Sequence, residues 1–259
     1  MRLTRRQSLK RFAAAAMMAS VGRATRRNPP PPIRLVALDV GGTIIQDRGD
    51  IPELLRSTLA HHGIGSTPEE IGRLRGASKR EAVRYFVNLQ SLPLSVNREE
   101  LTASVYDEFK AAVIEAYRSV PPIAGAAEAI QELRHKGYLV ATTTGFDREI
   151  TMSIFQRLGW EQYFAAIVSS DDVVEGRPSP FMLFHAMESA RVDSVAEVIA
   201  VGETPLDLQA GTNAGLRGVV GVLSGVSTAE RLRREPHTHI LASVADLPGL
   251  LASATWRTR

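Results

Sequence analysis

The chain has 259 residues, which is enough for one domain of ordinary size with a smaller inserted one. Its 31 basic and 28 acidic residues give a net charge of +3, but residues 1–32 hold eight basic residues and no acidic one. The remaining 23 basic and 28 acidic residues give the body a formal charge of −5, which argues against nucleic-acid binding. The lack of cysteine excludes disulfides and thiolate chemistry, and no apolar run approaches the roughly 20 residues of a membrane span.

Residues 1–27 are predicted to be an export leader. Thr4 to Lys10 reads TRRQSLK and precedes a short Ala-rich apolar stretch, which is the order of regions in an export signal. The Arg5–Arg6 pair resembles a twin-arginine signal, which implies the twin-arginine export machinery as a partner and a periplasmic or secreted location. A disordered basic tail or an organellar transit peptide stays open as the alternative, and without a working leader the protein is expected in the cytoplasm. The prolines of residues 28–32 predict a stiff linker.

Short apolar runs rich in β-branched residues recur after the linker and are typical of strands buried on both faces. Five strands are predicted, at Ile33–Leu38, Tyr138–Thr143, Ala166–Val168, Val198–Val201 and Val219–Leu223. Helical patterns separate the later strands, at Ala124–Lys136, Arg148–Leu158, Pro180–Ala190 and Leu206–Ala214. This alternation predicts an α/β fold with a Rossmann-like parallel sheet.

One interval breaks the alternation. From about Ile51 to Val120 the pattern is helical, and apolar residues recur at helical spacing between Leu101 and Tyr117. We therefore predict a core domain made of residues 33–48 and 121–259, with a helical cap domain inserted at residues 49–120. An insert after the first strand would lie over the carboxyl ends of the strands, where open α/β sheets bind ligands.

The first predicted strand is followed by the sequence DVGGT, from Asp39 to Thr43. An aspartate can attack phosphorus covalently, provided that a cation offsets the repulsion between the two anions. The two glycines let the backbone approach a phosphoryl group closely. Taken alone, this segment fits simple turn chemistry equally well.

Three later segments each follow a predicted strand and carry groups that suit phosphate chemistry. The segment from Thr142 to Gly145 offers hydroxyl and N–H groups to phosphate oxygens, or else a helix N-cap. Arg177 can neutralise a phosphoryl group, with a surface loop arginine as the alternative. Glu203 and Asp207 lie four residues apart at a helix start, where they suit a hard cation such as Mg²⁺ or cap the helix.

The order Asp, Thr, Arg and acidic pair resembles the four motifs of the haloacid dehalogenase superfamily, over about residues 33–245. The resemblance implies a Mg²⁺-dependent hydrolase that forms an aspartyl-phosphate intermediate. The resemblance implies that Asp39 is the nucleophile and a metal ligand, and that the Gly41 carbonyl is a second ligand. It also implies that Thr144 and Arg177 bind the phosphoryl group. Glu203 and Asp207 would hold the metal directly or through water. Thr43, Thr143 and Gly145 complete the predicted substrate-binding set. The superfamily usually has Asp at position 203, so Glu203 is one methylene longer.

Gly41 departs from the phosphatases of this superfamily, which usually carry a second Asp two residues after the nucleophile. That carboxyl protonates the leaving alkoxide and later activates water. Glycine has no side chain, and general acid–base help is worth roughly 10²–10⁴-fold in rate. We therefore expect ordinary ester hydrolysis to be slow unless another group supplies the proton.

A narrower resemblance, to the phosphonoacetaldehyde hydrolase family, accounts for the missing acid. That family uses a lysine of the insert to form a Schiff base with its substrate, so that the leaving group is an enamine that needs no proton. Its G-x-x-K segment matches Gly76 to Lys79, its second motif resembles TTGFDRE at Thr143 to Glu149, and its third motif has arginine, as Arg177 does. The resemblance makes Lys79 catalytic, with a solvated lysine as the alternative.

Three positions depart from this family. Arg75 stands where the family has methionine, Ala82 where it has histidine, and Phe146 where it has tyrosine. Arg75 is predicted to bind a second anionic group of a different substrate.

The predicted activity is hydrolysis of a small phosphonate or phosphorylated substrate by phosphonatase-like chemistry. Two alternatives stay open: a P–O phosphatase of the phosphoglycolate phosphatase type, and a non-catalytic phosphate-binding protein that keeps the fold. A homodimer is compatible with the sequence, although nothing in it sets the oligomeric state.

Overall fold

The computed structural model describes residues 32–93 and 95–253, so the predicted export leader and all of the proline linker except Pro32 lie outside the described residues. Within them, six strands form one sheet: Leu35–Leu38 (β1), Leu139–Thr143 (β2), Ala166–Val168 (β3), Val198–Gly202 (β4), Gly218–Val222 (β5) and His239–Leu241 (β6). Across these ranges, no helix combines the length and the apolar character needed to cross a membrane.

The sheet is parallel throughout, with the strand order β3-β2-β1-β4-β5-β6. Strand β1 lies at its centre, because Leu35 pairs with Leu139 of β2 on one side and with Val198 of β4 on the other. Successive strands are added to one side of β1 as far as β3 and to its other side from β4 onward, and in such sheets this switch leaves a crevice at the carboxyl ends of the strands. The predicted α/β fold with a Rossmann-like parallel sheet is confirmed.

The central strands form where apolar residues run without interruption. All residues of β1, β4 and β5 are buried, as expected for strands covered on both faces. The five predicted strands are present within two residues of their predicted bounds. The sixth, His239–Leu241, was not predicted, because it has three residues, begins with a histidine and is only half-buried at the edge of the sheet.

Ten helices accompany the sheet in the described residues. They are Asp50–His61 (α1), Pro68–Arg73 (α2), Lys79–Leu89 (α3), Arg98–Tyr117 (α4), Ala126–His135 (α5), Arg148–Leu158 (α6), Phe181–Ser189 (α7), Pro205–Asn213 (α8), Ala229–Arg233 (α9) and Leu247–Ala252 (α10). Helices α1 to α4 follow β1 without an intervening strand, as the helical pattern predicted.

The helices of this insert share one apolar core with the sheet. Val105, Phe109 and Val113 recur at four-residue spacing on α4 and are fully buried, since that spacing places them on one face. They belong to the same cluster as Phe86 of α3 and Val36 of β1. The bounds of a separate cap domain at residues 49–120 stay a prediction.

Polar contacts also join the insert to the core. The Tyr106 hydroxyl on α4 donates a hydrogen bond of 2.6 Å to Asp147 Oδ2, while Asp147 Oδ1 caps α6 by accepting from the backbone N–H of Ile150. Lys110 Nζ of α4 lies 2.7 Å from Glu149 Oε2 on α6. The insert is therefore attached to the turn that links β2 to α6.

Candidate active site

Asp39 lies at the carboxyl end of β1, in the crevice where the strand order switches from one side of β1 to the other. Its backbone N–H donates to Val201 O of β4 at 2.8 Å, which holds the residue in line with the sheet. Its side chain is buried, and Oδ2 accepts a hydrogen bond of 3.1 Å from the Thr43 hydroxyl. The hydroxyl of Thr43 thus fixes Oδ2, and the guanidinium of Arg177 holds the other oxygen, Oδ1.

Arg177 ties three strand ends together. Its Nη1 lies 2.9 Å from Asp39 Oδ1 and 2.6 Å from Asp207 Oδ1, and its Nη2 donates to the carbonyl oxygen and the hydroxyl of Thr143 at 2.6 and 3.1 Å. The guanidinium is almost completely buried. A planar fork with several donors suits this task, since a lysine could not reach both the carboxylates and the strand end.

The two acidic residues after β4 have different surroundings. Asp207 Oδ2 accepts from the backbone N–H and the hydroxyl of Thr204 at 2.9 and 2.7 Å, which caps α8. Glu203 Oε2 accepts from the backbone N–H groups of Val226 and Ser227 at 2.9 and 3.3 Å. The extra methylene of Glu203 therefore turns one of its oxygens toward the loop after β5 rather than toward Asp39.

Two glycines make room for the glutamate. A Cβ at Gly42 would come within 2.8 Å of Glu203 Cγ, and one at Gly225 within 2.5 Å of Glu203 Cδ. Gly42 also has a φ of +75°, a region that side chains with a Cβ rarely adopt. Its place in the DVGGT segment therefore follows from backbone conformation and from the close approach of Glu203.

The buried carboxylates are electrostatically short of positive charge. Burial, together with repulsion from Asp207, raises the pKa of Asp39 to about 6, although Arg177 opposes the shift. Burial, followed by repulsion from Asp207 and Asp39, raises the pKa of Glu203 to about 8. A further cation near these groups would relieve the repulsion, because opposite charge favours the ionised form.

The donor set fits Mg²⁺, which usually takes one or two protein carboxylates and keeps several waters. Asp39 and Asp207 both approach one nitrogen of Arg177, so their oxygens lie near each other. Gly41 follows Asp39 at the same edge and lines the same pocket. Across the described ranges, no three His, Cys, Asp or Glu side chains gather into a group that could hold a metal by themselves.

Lys79 is brought to this crevice by the insert. It is the first residue of α3, and its backbone N–H donates to Gly145 O at 3.1 Å. Its Nζ donates to Ala77 O at 3.2 Å and lies 5.4 Å from the centre of the Phe146 ring. Burial lowers the pKa of the Lys79 amine, against the opposing charge of Asp39. The positive end of the α3 dipole further disfavours an ammonium ion here.

The close approach of the insert depends on glycine in the motif after β2. A Cβ at Gly145 would overlap the carbonyl group of Ala77, and one at Gly176 would lie 2.9 Å from Glu81 Oε2 of α3. On the insert side, a Cβ at Gly76 would lie 2.5 Å from Thr204 Oγ1. Three glycines thus line the contact that holds Lys79 against the strand ends.

We expect Gly145→Ala to lower the free energy of unfolding by roughly 1–3 kcal/mol, because overpacking forces the backbone of the insert away from the core. Chemical denaturation measures the effect. Gly65→Ala is the matched control, since a Cβ at that loop position meets no atom within 4 Å. Equal stability of the two variants would contradict the described contact.

The missing acid leaves space that an aromatic ring borders. A Cβ at Gly41 would lie 3.7 Å from the Phe146 ring, which is ordinary van der Waals contact. Steric contact therefore does not prevent a residue with a Cβ at position 41. Phe146 in turn makes an edge contact with Tyr117 of α4, with 5.2 Å between ring centres.

Most of the predicted site residues line one pocket with about 670 Å³ of empty space, part of it open to solvent. Those that line it are Asp39, Gly41, Arg75, Lys79, Thr144, Gly145, Arg177 and Glu203. Thr43, Thr143 and Asp207 do not line it; they contact Asp39 or Arg177 from behind. Whether each residue has its predicted role stays a prediction.

Two lining residues were missed by sequence reasoning. Asp47 lies eight residues after Asp39 and brings another carboxylate into the pocket. Tyr117 ends α4 and was counted only as an apolar position of a helix. An acidic residue shortly after the DVGGT turn was the available signal for Asp47, whereas no local pattern marked Tyr117.

Comparison with known proteins gives a consistent result. Residues 36–221 match the family model described as haloacid dehalogenase-like hydrolase. A phosphonoacetaldehyde hydrolase from Bacillus thuringiensis (strain Al Hakam) is 30% identical over 207 residues, which covers 75% of this chain and 77% of the relative.

Solved structures share the fold. A phosphonoacetaldehyde hydrolase-like protein from Oleispira antarctica has a TM-score of 0.74 at 24% identity, covering 86% of this chain and 92% of that one. A protein from Lactobacillus plantarum, described as a phosphoglycolate phosphatase, has a TM-score of 0.69 at 15% identity, covering 85% of this chain and 100% of that one. With the family match over most of the chain, the protein belongs to the haloacid dehalogenase-like hydrolase family and is similar to its phosphonoacetaldehyde hydrolases.

Proposed function

We propose that this protein is a Mg²⁺-dependent hydrolase of the phosphonatase type, which cleaves the P–C bond of a small carbonyl-bearing phosphonate. The observation that carries the proposal is the meeting of three features in one pocket. Asp39 and Lys79 both line it, and Gly41 offers no acid between them. The curated relatives named phosphonoacetaldehyde hydrolase support the same chemistry.

The groups that would hold Mg²⁺ are Asp39, the Gly41 carbonyl and Asp207, with Glu203 binding it through water. When bound, the ion would supply positive charge that offsets the repulsion between the carboxylate and the phosphonate. Arg177 contributes a fixed positive charge of its own and orients Asp39 through Oδ1.

Lys79 prepares the substrate for cleavage. Its neutral amine attacks the carbonyl carbon of the phosphonate, the adduct takes up one proton from solvent, and water leaves, so that a protonated imine joins the substrate to Nζ. The lowered pKa of Lys79 supports this step, because only the unprotonated amine is a nucleophile. The hydrogen bond to Ala77 O and the Phe146 ring, whose centre is 5.4 Å from Nζ, position the nitrogen near the strand ends.

Asp39 then attacks phosphorus. As its oxygen bonds to phosphorus, the P–C bond breaks and its electron pair moves into the protonated imine, which becomes an enamine. The leaving carbon therefore needs no proton at that moment, which fits a glycine at position 41. Thr144 and Arg177 are proposed to hold the phosphoryl oxygens during the transfer.

Two hydrolyses complete the cycle. Water attacks the phosphorus of the aspartyl phosphate and releases inorganic phosphate, which restores the Asp39 carboxylate. The enamine is protonated on carbon to give the imine again, and water hydrolyses it to the free carbonyl product and the Lys79 amine. The sum is phosphonate plus water giving a carbonyl compound plus phosphate.

The substrate panel with and without Mg²⁺ tests this function. Phosphonoacetaldehyde and a set of phosphomonoesters that includes phosphoglycolate are assayed for phosphate release, first with Mg²⁺ and then with a chelator. We expect release from the phosphonate that stops on chelation and returns with excess Mg²⁺. Release from esters alone would favour the P–O phosphatase, and binding of phosphate without any turnover would favour the non-catalytic alternative. Undiminished release in chelator would contradict the metal requirement.

A further inference from the structure

Arg75 occupies a position in the pocket that the proposed chemistry does not use. It comes directly before Gly76, whose φ of +84° and contact with Thr204 fix the backbone against the core. The Arg75 side chain is about one quarter exposed, at 27%, and lines the same pocket as Asp39 and Lys79. A guanidinium held at a pocket wall is suited to bind a ligand anion.

Asp47 balances the charge of the Arg75 guanidinium but accepts no hydrogen bond from its N–H donors. Arg75 Nη1 lies 3.6 Å from Asp47 Oδ2, which is an ion pair but is too long for a hydrogen bond. Asp47 uses its other oxygen, Oδ1, to accept from the backbone N–H of Gly49 at 2.7 Å. Asp47 therefore orients and neutralises Arg75 without occupying its donor fork.

The other basic groups of the pocket have different tasks. Arg177 is buried against Asp39, Asp207 and Thr143. Lys79 must be neutral in order to attack a carbonyl. Among the cations that line the pocket, Arg75 is thus the one to which the proposed chemistry assigns no task.

We propose that Arg75 binds a carboxylate of the substrate, so that the natural substrate class is a short phosphonate that carries both a carbonyl group and a carboxylate. This inference rests on the proposed function and names its substrate class. A carboxylate presents two coplanar oxygens that match the guanidinium fork. A second phosphate is disfavoured, because Asp47 already cancels the charge of Arg75 and would repel a dianion. Arg75 and Lys79 are four residues apart in the chain and line the same pocket, so one substrate is expected to contact both.

Calorimetric titration of the full chain with Mg²⁺ tests the inference independently of turnover. The probes are 3-phosphonopropionate and 3-methylbutylphosphonate, in which an isopropyl group replaces the carboxylate at nearly constant shape. We expect the wild type to bind the carboxylate probe roughly 10- to 100-fold more tightly, which is the value of charge-assisted hydrogen bonds. In Arg75→Met this preference should disappear, and in Arg75→Lys it should be partly kept.

Matched variants separate binding from general damage. Arg73→Met removes an exposed arginine two residues away and should leave the preference unchanged. Asp47→Asn should increase the preference, because Arg75 loses its neutralising partner. If Arg75 only paired with Asp47, Arg75→Met and Asp47→Asn would lose stability alike, and neither would alter the preference for the carboxylate probe. That result would overturn the inference. A wild type that binds both probes equally would overturn it as well.

Turnover distinguishes this inference from the function on which it rests. Phosphonopyruvate adds a carboxylate to the carbonyl carbon of phosphonoacetaldehyde, and we expect Arg75→Met to lower kcat/KM selectively for phosphonopyruvate. Equal losses for both substrates would overturn the carboxylate site while leaving the hydrolase intact. Failure of the proposed function has another signature, namely phosphate release that survives in Asp39→Asn.

Discussion

An Asp39→Asn variant is expected to release phosphate from phosphonoacetaldehyde roughly 10⁴-fold or more slowly than the wild type, because the amide cannot form the covalent bond to phosphorus. Phosphate release under saturating Mg²⁺ is the measurement. The loss should fall on kcat, since the other groups that approach the phosphoryl oxygens remain in place. Persistent turnover would exclude Asp39 as the nucleophile.

The structure makes this substitution a clean one. Asparagine has nearly the shape of aspartate, and the Thr43 hydroxyl can still donate to its side-chain oxygen. Arg177 keeps Asp207 as a charge partner at 2.6 Å, so its buried charge is not left alone. We therefore expect the folded state to persist, as checked by thermal unfolding. Asp107→Asn, at an exposed position of α4, is the matched control and should keep full activity.

A Lys79→Arg variant is expected to lose P–C cleavage by roughly 10³-fold or more, because a guanidinium stays protonated and cannot form a Schiff base. The variant keeps a positive charge beside Phe146, which separates the nucleophilic role from simple charge neutralisation. Binding of inorganic phosphate, measured by calorimetry, should change little. Lys110→Arg, which keeps a charge next to Glu149 of α6, is the control.

The pH dependence of the Lys79 reaction follows from its lowered pKa. The neutral amine is the reactive form, and its fraction rises with pH through the pKa of the folded protein. Because burial lowers that pKa, the rate of Schiff-base formation should level off below the ordinary lysine value of about 10.4. A rate that still climbs through that value would show that the amine is solvated.

The part of the site that follows the strands could be predicted from the sequence. Asp39, Thr144, Arg177 and Glu203 each come after a strand that an apolar run identifies. Parallel strands end at one edge of the sheet, so the four segments had to converge there. The helical interval was equally visible, because α4 repeats its apolar residues at four-residue spacing.

The contacts that complete the site depend on tertiary packing and left no local pattern. The docking of Lys79 requires Gly145 to face the Ala77 carbonyl, and no local sequence pattern predicts the contact between these two residues. The turn of Glu203 toward Val226 depends on the loop after β5. The ion pair between Arg75 and Asp47 joins a residue that follows α2 to a residue that precedes α1, and only the tertiary fold brings the two together.

The same packing surrounds Gly41 without forcing a glycine at that position. The Phe146 ring borders the space beside Gly41, and Lys79 Nζ lies 5.4 Å from the centre of that ring. Chemistry at the leaving group is therefore proposed to come from the insert rather than from the turn after β1. Under the proposed function, this assignment is what distinguishes P–C cleavage from ester hydrolysis.

Borohydride trapping tests this central claim most directly. The protein is mixed with phosphonoacetaldehyde and Mg²⁺, reduced with borohydride, digested and examined by mass spectrometry. The account predicts a stable adduct on Lys79, formed by reduction of the imine, and no such adduct in Lys79→Arg. An enzyme that releases phosphate from phosphonoacetaldehyde but carries no adduct on Lys79 would contradict it.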